Sequence, residues 1–414
     1  MSEPRSIPPL ARSPGFAWYL TGSSLWMGGM SLQGFLFTWM LVGILERPPD
    51  DVGLARSLAE FPALLVLLVG GLLGDRLDGR RLLLILHAAM ALPPLVLAML
   101  MTTSGLDYGA VVAFGMTLAA LQALSDPARQ SMLSLLAGTD TQRAVTLTSL
   151  VTTLVGMGAF YVGGWLDQLG LPLLLTVQAV CFLIGMAAIG QLPPLPPSVN
   201  SSPAPSISQT ASELRAGLRA VVATPIVRSM IGLNLASSLF NAGAYIVVLP
   251  VIVKTVYDGD AAFFSTVLLV FTAGSIGSNL VLLTFMPLMR PGRVFLLMQP
   301  VRVVILLVLM LEPSRTVLLA TLFLWGVNMG VTSTLVRTTV QECAPVGYRS
   351  QVLSWLQLSF MIAAPASAAL LGALAAWTSP LTALWPGIVV SVLIVAIGGL
   401  ATGLPQYRAP LASS

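Results

Sequence analysis

Runs of about twenty or more apolar residues recur along this chain, and a run of that length has one environment in which it folds as a helix on its own. A helix needs roughly 20 apolar residues to cross about 30 Å of hydrocarbon. Such runs occupy 16–44, 53–74, 82–103, 108–127, 144–166 and 171–192, then 226–254, 261–289, 294–312, 315–340, 350–376 and 380–403. Hydrophobic residues make up 56% of the 414 and charged residues 9%, against about 25% charged in soluble domains. No soluble fold of this size hides so much apolar surface. The sequence predicts an all-α membrane protein of twelve transmembrane helices, embedded in the lipid bilayer.

The runs fall into two sets of six. Between them 193–212 reads PPLPPSVNSSPAPSISQTAS, a Pro- and Ser-rich linker. Ser212 to Ala223 then forms a short amphipathic helix carrying Arg215 and Arg219, suited to a membrane surface. The expected domains are a six-helix bundle over 1–192, a cytoplasmic linker over 193–225 and a second bundle over 226–414. Positively charged loops stay on the cytoplasmic side. With both termini inside, fifteen Arg fall on inner segments, and only Arg47, Arg56, Lys254 and Arg315 on outer ones. The expected location is the cytoplasmic (inner) membrane, multi-pass.

Composition narrows function as well. The formal charge of +4 is spread singly or in pairs at the ends of apolar runs, so no basic face is offered to nucleic acid. Two cysteines, Cys181 and Cys343, and one histidine, His87, provide no metal cluster or disulfide framework. No G-x-x-x-x-G-K-[ST] loop for ATP phosphates appears. A membrane enzyme would need a nucleophile with a base, or a metal, at membrane depth. The expectation is no cofactor and no catalytic centre. The first run is about 29 residues with no small-residue cleavage site, so it reads as a retained helix rather than a leader.

Between the second and third runs stands Gly71-Leu72-Leu73-Gly74-Asp75-Arg76-Leu77-Asp78-Gly79-Arg80-Arg81. Gly71 and Gly74 permit close helix approach, and Gly79 permits the positive φ of a very tight turn. Arg80 and Arg81 hold the loop at the headgroups, while Asp75 at the membrane edge needs a cationic or helix-end partner. This loop resembles the signature G-x-x-x-D-R-x-x-G-R-R of the major facilitator superfamily, matching every fixed position in the corresponding loop. The resemblance covers the full chain and implies two pseudo-symmetric six-helix bundles. Gln142-Arg143-Ala144-Val145 and Tyr348-Arg349-Ser350-Gln351-Val352 are weakly repeated entries to the fifth and eleventh helices, as internal repeats leave.

Ser125-Asp126-Pro127-Ala128-Arg129-Gln130 after the fourth helix, and Glu213 to Arg219 followed by Thr224-Pro225, resemble the drug and siderophore exporters, the transmembrane secretion effector branch. The resemblance implies a cytoplasmic gate in which Asp75, Arg76, Arg80, Asp126 and Arg129 cluster with the stretch from Arg337 to Arg349. Solvated loop charges are the alternative. The fifth helix departs from the antiporter pattern G-P-x-x-x-G, reading Gly158-Ala159-Phe160-Tyr161-Val162-Gly163 without the proline. The intramembrane arginine of the fourth helix is also missing, with Gln122 in that region, and the first helix has Trp26-Met27-Gly28-Gly29 in place of an acid.

Charges at membrane depth are costly and mark function. Glu60, in the second run, is either a protonation switch with its pKa raised by burial or the partner of Arg56 one turn away. Arg302 stands about 13 Å along its helix from Arg293; it either faces the cavity, favouring an anionic or chelating substrate, or snorkels or pairs with a helix end. His87 reads as a buried neutral ring bonded to a backbone carbonyl rather than a proton relay. The amides Gln33, Gln122, Asn241, Asn328 and Gln357 are candidates for the cavity wall, because lipid offers them no partners. The resulting expectation is a monomeric secondary transporter that moves a small amphipathic molecule by alternating access. Proton-coupled efflux, as in an antiporter, is the leading reading. A siderophore or lysolipid carrier and a sensor that binds without flux are the alternatives.

Overall fold

Hydrocarbon has no water to satisfy a backbone N–H, so a spanning chain closes its hydrogen bonds inside each helix. The computed structural model describes residues 14–69, 78–103, 105–192, 207–286 and 288–409, and among these no strand occurs. The helices are α1 Pro14–Ile44, α2 Pro49–Val69, α3 Gly79–Thr103, α4 Tyr108–Ala137, α5 Thr141–Gly163, α6 Leu171–Gly190, α7 Ile207–Ala223, α8 Pro225–Thr255, α9 Ala261–Phe285, α10 Pro291–Met310, α11 Arg315–Cys343, α12 Arg349–Trp377 and α13 Trp385–Leu400. Among the described residues, eleven are long and apolar enough to cross a bilayer. The 21 residues of α2, about 30 Å at 1.5 Å per residue, make the twelfth span, and α7 is the linker helix.

Helix ends sit where capping chemistry is available. Asp107 accepts from Gly109 N at 2.8 Å and Ala110 N at 3.4 Å to open α4. Asp260 accepts from Phe263 N at 2.8 Å to open α9. Proline opens α6, α8, α10 and α13 at a first-turn position, where its missing donor costs nothing. The first spanning helix of each half is broken by one π turn, Met40–Ile44 in α1 and Ala244–Val248 in α8.

Two local expectations are corrected. The segment from Ser125 to Gln130 is not a loop: α4 runs through Pro127 to Ala137. The apolar run stops at Pro127, whereas the helix continues past it, because the loss of one bond to Ala123 does not stop a helix buttressed by its neighbours. Gly79 is not a positive-φ turn residue; it is the first residue of α3. The turn is closed by Asp78, whose carboxylate accepts from Arg80 N at 2.9 Å.

The chain divides into two compact units, one of residues 1–45 and 58–205, the other of 46–57 and 206–414. In the first unit α1 packs on α5 and α6, and α3 on α4 and α6. Its buried aromatic residues include Trp26, Phe35, Phe37 and Phe182. In the second unit α9 and α11 approach almost backbone to backbone, since a Cβ on Gly326 would meet the Phe271 carbonyl and one on Gly274 the Phe323 carbonyl. Dispersion between such close surfaces replaces the hydrophobic drive that lipid cannot supply. The opening residues of α2 belong to this unit: Ser57 Oγ donates to the Pro365 carbonyl at 2.6 Å.

Candidate functional site

Of the signature loop, Gly71, Gly74, Asp75 and Arg76 lie outside the described residues. Arg80 is half-buried, and its guanidinium donates to the Gly190 carbonyl at the end of α6, which suits a cation at a helix C-terminus. Arg81 is exposed. Asp126 and Arg129 lie on one face of α4, with Arg129 Nη1 3.9 Å from Asp126 Oδ1. Both lie within a helix rather than a loop, and the Asp126 side chain is 45% exposed. The Arg129 side chain is only 15% exposed and its guanidinium stands 5.4 Å from the centre of the Trp26 ring.

Around Arg129 the first unit collects a polar cluster. Tyr19 Oη donates to the Arg129 carbonyl at 2.9 Å. Trp26 lies 4.6 Å, centroid to centroid, from the His87 ring. His87 is fully buried, and its Nδ1 donates to the Leu83 carbonyl at 2.7 Å; a carbonyl only accepts, so the proton sits on that nitrogen. Arg129 is thus an arginine inside the fourth helix. Sequence reasoning placed it past the helix end because the apolar run stops at Pro127.

The second unit holds the deeper charge. Arg302 on α10 is 6% exposed, so it does not snorkel. Its Nε and Nη2 donate to Asn328 Oδ1 at 3.1 and 3.0 Å. Its Nη1 donates to Gln299 Oε1 at 3.4 Å and to Ser237 Oγ. Asn328 Nδ2 in turn donates to the Met298 carbonyl at 2.6 Å, and Gln299 Nε2 to the Phe295 carbonyl at 3.2 Å. The knot ties α8, α10 and α11 together through neutral oxygens, and among the described residues no carboxylate pairs with the guanidinium. Ser237 and Gln299 were absent from the expected set. Gln299 is one turn before Arg302 on the same helix, a spacing visible in the sequence, whereas nothing in the sequence points to Ser237.

The remaining candidates are dispersed. Gln33 is buried on α1 and Gln122 half-buried on α4. Asn241 is buried on α8, donating to the Ser237 carbonyl at 2.9 Å, with its Oδ1 unpartnered. Gln357, Arg337 and Arg349 are exposed. Glu60 is exposed as well. Gly163 of the fifth helix packs beneath Phe35, where a Cβ would come within 2.6 Å of the ring; around Gly158 nothing lies within 4 Å. An apolar groove of about 420 Å³ is lined by Phe240, Leu374, Trp385 and Val389. Among the described residues no group of acids, cysteines or histidine gathers as a metal site.

Twelve spanning helices in two units, with polar side chains tied inside each, define a membrane transporter of the major facilitator fold rather than an enzyme. The chain belongs to the family described as transmembrane secretion effector, whose model matches residues 6–414. The fold is that of solved transporters at low identity. The nucleoside transporter NupG superposes with a TM-score of 0.73 at 12% identity, over 95% of this chain and 99% of that one. A D-xylose-proton symporter gives 0.69 at 12%, over 94% and 98%. A bacterial homolog to the human lysosomal transporter Spinster gives 0.67 at 14%, over 93% and 96%. No curated protein sequence matches the chain.

Proposed function

We propose that this protein is a proton-coupled exporter that moves a small amphipathic anion out of the cell by alternating access. It works as a monomer in the cytoplasmic membrane, with both termini inside and no nucleic-acid partner. Membership of a family described by secretion supports the outward direction. The observation that carries the substrate class is Arg302, a buried guanidinium held, among the described residues, by amide and hydroxyl oxygens. Its charge is hydrogen-bonded but not neutralised, and in a medium of effective dielectric near 20 a unit charge about 8 Å away gains about 2 kcal/mol. That favours the anionic members of the class, such as siderophores and lysophospholipids, over neutral drugs by about 30-fold.

Gating roles are assigned to Arg80, Asp126 and Arg129 in the first unit and, separately, to Arg337 and Arg349 in the second. Glu60, exposed on α2, remains the proton-coupling candidate.

The experiment is transport in proteoliposomes with an imposed pH gradient and matched anionic and neutral amphiphiles. Concentrative uptake into inside-out vesicles, acid inside, supports export. Transport that ignores the gradient rejects proton coupling, and Glu60→Gln with unchanged pH dependence removes that residue from it. Ligand binding without flux would make the chain a sensor.

A further inference from the structure

The linker helix α7 has one face committed to the protein and the other free. On the committed side Ala220 and Val221 are buried in the core of the second unit. Gly217 lies so close to α12 that a Cβ there would come within 2.8 Å of Gln351 Cβ, and Trp355 Nε1 donates to the Leu214 carbonyl at 2.8 Å. With a period of 3.6 residues, Leu218, Val222, Arg215 and Arg219 fall side by side on the opposite arc. All four are exposed, Leu218 by 42% and Val222 by 52%. Glu213, also exposed, falls away from the arginine pair. Arg228 of α8 joins them: it is exposed, and its Nη1 reaches the Val222 carbonyl at 3.4 Å.

We infer that this arc is a binding site for an anionic phospholipid, with Arg215, Arg219 and Arg228 on its headgroup phosphate and Leu218 and Val222 against the start of its acyl chains. Three points carry it. The exposed arc is half cationic and half aliphatic, complementary to a charged headgroup with its chains rather than to water alone. One residue, Thr224, separates α7 from Pro225, the first residue of a spanning helix, so the arc is held at the depth of the headgroups. The opposite face is pinned by a side-chain hydrogen bond and a close glycine contact, so the arginines are presented on an ordered helix. Headgroup binding also strengthens the seat of α7 on α12, because a lipid that holds the exposed face stabilises the docked helix.

Each guanidinium near an anionic surface contributes about fivefold in affinity, and three contribute about 100-fold. The test is native mass spectrometry of the purified full chain, titrated with phosphatidylglycerol or with phosphatidylcholine of the same acyl chains. The expected result is retained phosphatidylglycerol that the combined Arg215→Gln, Arg219→Gln and Arg228→Gln variant loses by about 100-fold, falling to the phosphatidylcholine level. Equal retention by that variant, or equal binding of the two lipids, overturns the site. The triple lysine variant controls for folding and should bind within a few-fold of the parent, since point charges suffice; loss there as great as with glutamine overturns it. Leu218→Ser with Val222→Ser should weaken the lipid but not soluble glycerol phosphate. Glycerol phosphate binding as tightly as the lipid would make this a free phosphate site and overturn the lipid assignment.

Discussion

Arg302 offers the sharpest test, because two substitutions at that position pull opposite physical terms apart. Arg302→Met removes the charge together with its four hydrogen bonds. The oxygens of Asn328, Ser237 and Gln299 then lose donors, at about 1–3 kcal/mol for each group left unsatisfied. Against this stands relief of the desolvation of an unpaired buried ion, itself several kcal/mol. The two nearly cancel, so Arg302→Met should cost at most about 2 kcal/mol. Arg302→Lys keeps the charge on a compact ammonium whose three donors do not reproduce the planar fork that meets Asn328 with Nε and Nη2. It keeps the penalty and loses part of the compensation, and should cost about 3–5 kcal/mol. The assay is thermal unfolding in detergent followed by tryptophan fluorescence, alongside competition between an anionic and a matched neutral substrate. The methionine variant should be the more stable and should lose the preference for anions; the lysine variant should be the less stable and keep it. A lysine variant as stable as the parent, beside a methionine variant that does not fold, would refute the reasoning, since it would mean that a counter-ion neutralises Arg302.

Gly326→Ala drives a methyl into the Phe271 carbonyl and should cost at least the 1–3 kcal/mol typical of overpacking, whereas Gly158→Ala meets nothing within 4 Å and should be neutral or gain up to about 1 kcal/mol of helix propensity; melting temperatures of the two compare them directly. Tyr19→Phe removes one hydrogen bond to the Arg129 carbonyl and should lower stability by about 1 kcal/mol, seen as earlier unfolding with no change in expression. Trp355→Phe keeps the packing but loses the bond to the Leu214 carbonyl, so hydrogen exchange over α7 should rise several-fold while α12 stays protected; exchange unchanged across α7 would mean that Gly217 and the apolar face suffice to seat it.

Much of the architecture could be read from the residues. Spans of twenty apolar residues are set by the thickness of the hydrocarbon, and that constraint acts on each segment alone. Helix ends were less legible. The run ending at Pro127 hid about three further turns of α4, because hydropathy reports apolar character and not where backbone hydrogen bonding stops. Gly79 misled for a related reason: glycine permits a positive φ but does not require it, and Asp78 supplies a cap that leaves Gly79 helical.

The candidate residues divide along the same line. That Arg302 sits in an apolar run was plain from the sequence; that it meets Asn328 of α11 and Ser237 of α8 was not, since those contacts span 26 and 65 residues. Glu60 looked comparable to Arg302 as a charge within a run, yet one is exposed and the other buried. The twelve spans and the major facilitator signature follow from the sequence by itself, because bilayer thickness and turn chemistry act locally. Only the tertiary structure decided which charges are buried, what holds them and which face of α7 is left open, because burial depends on neighbours that packing brings together from distant parts of the chain.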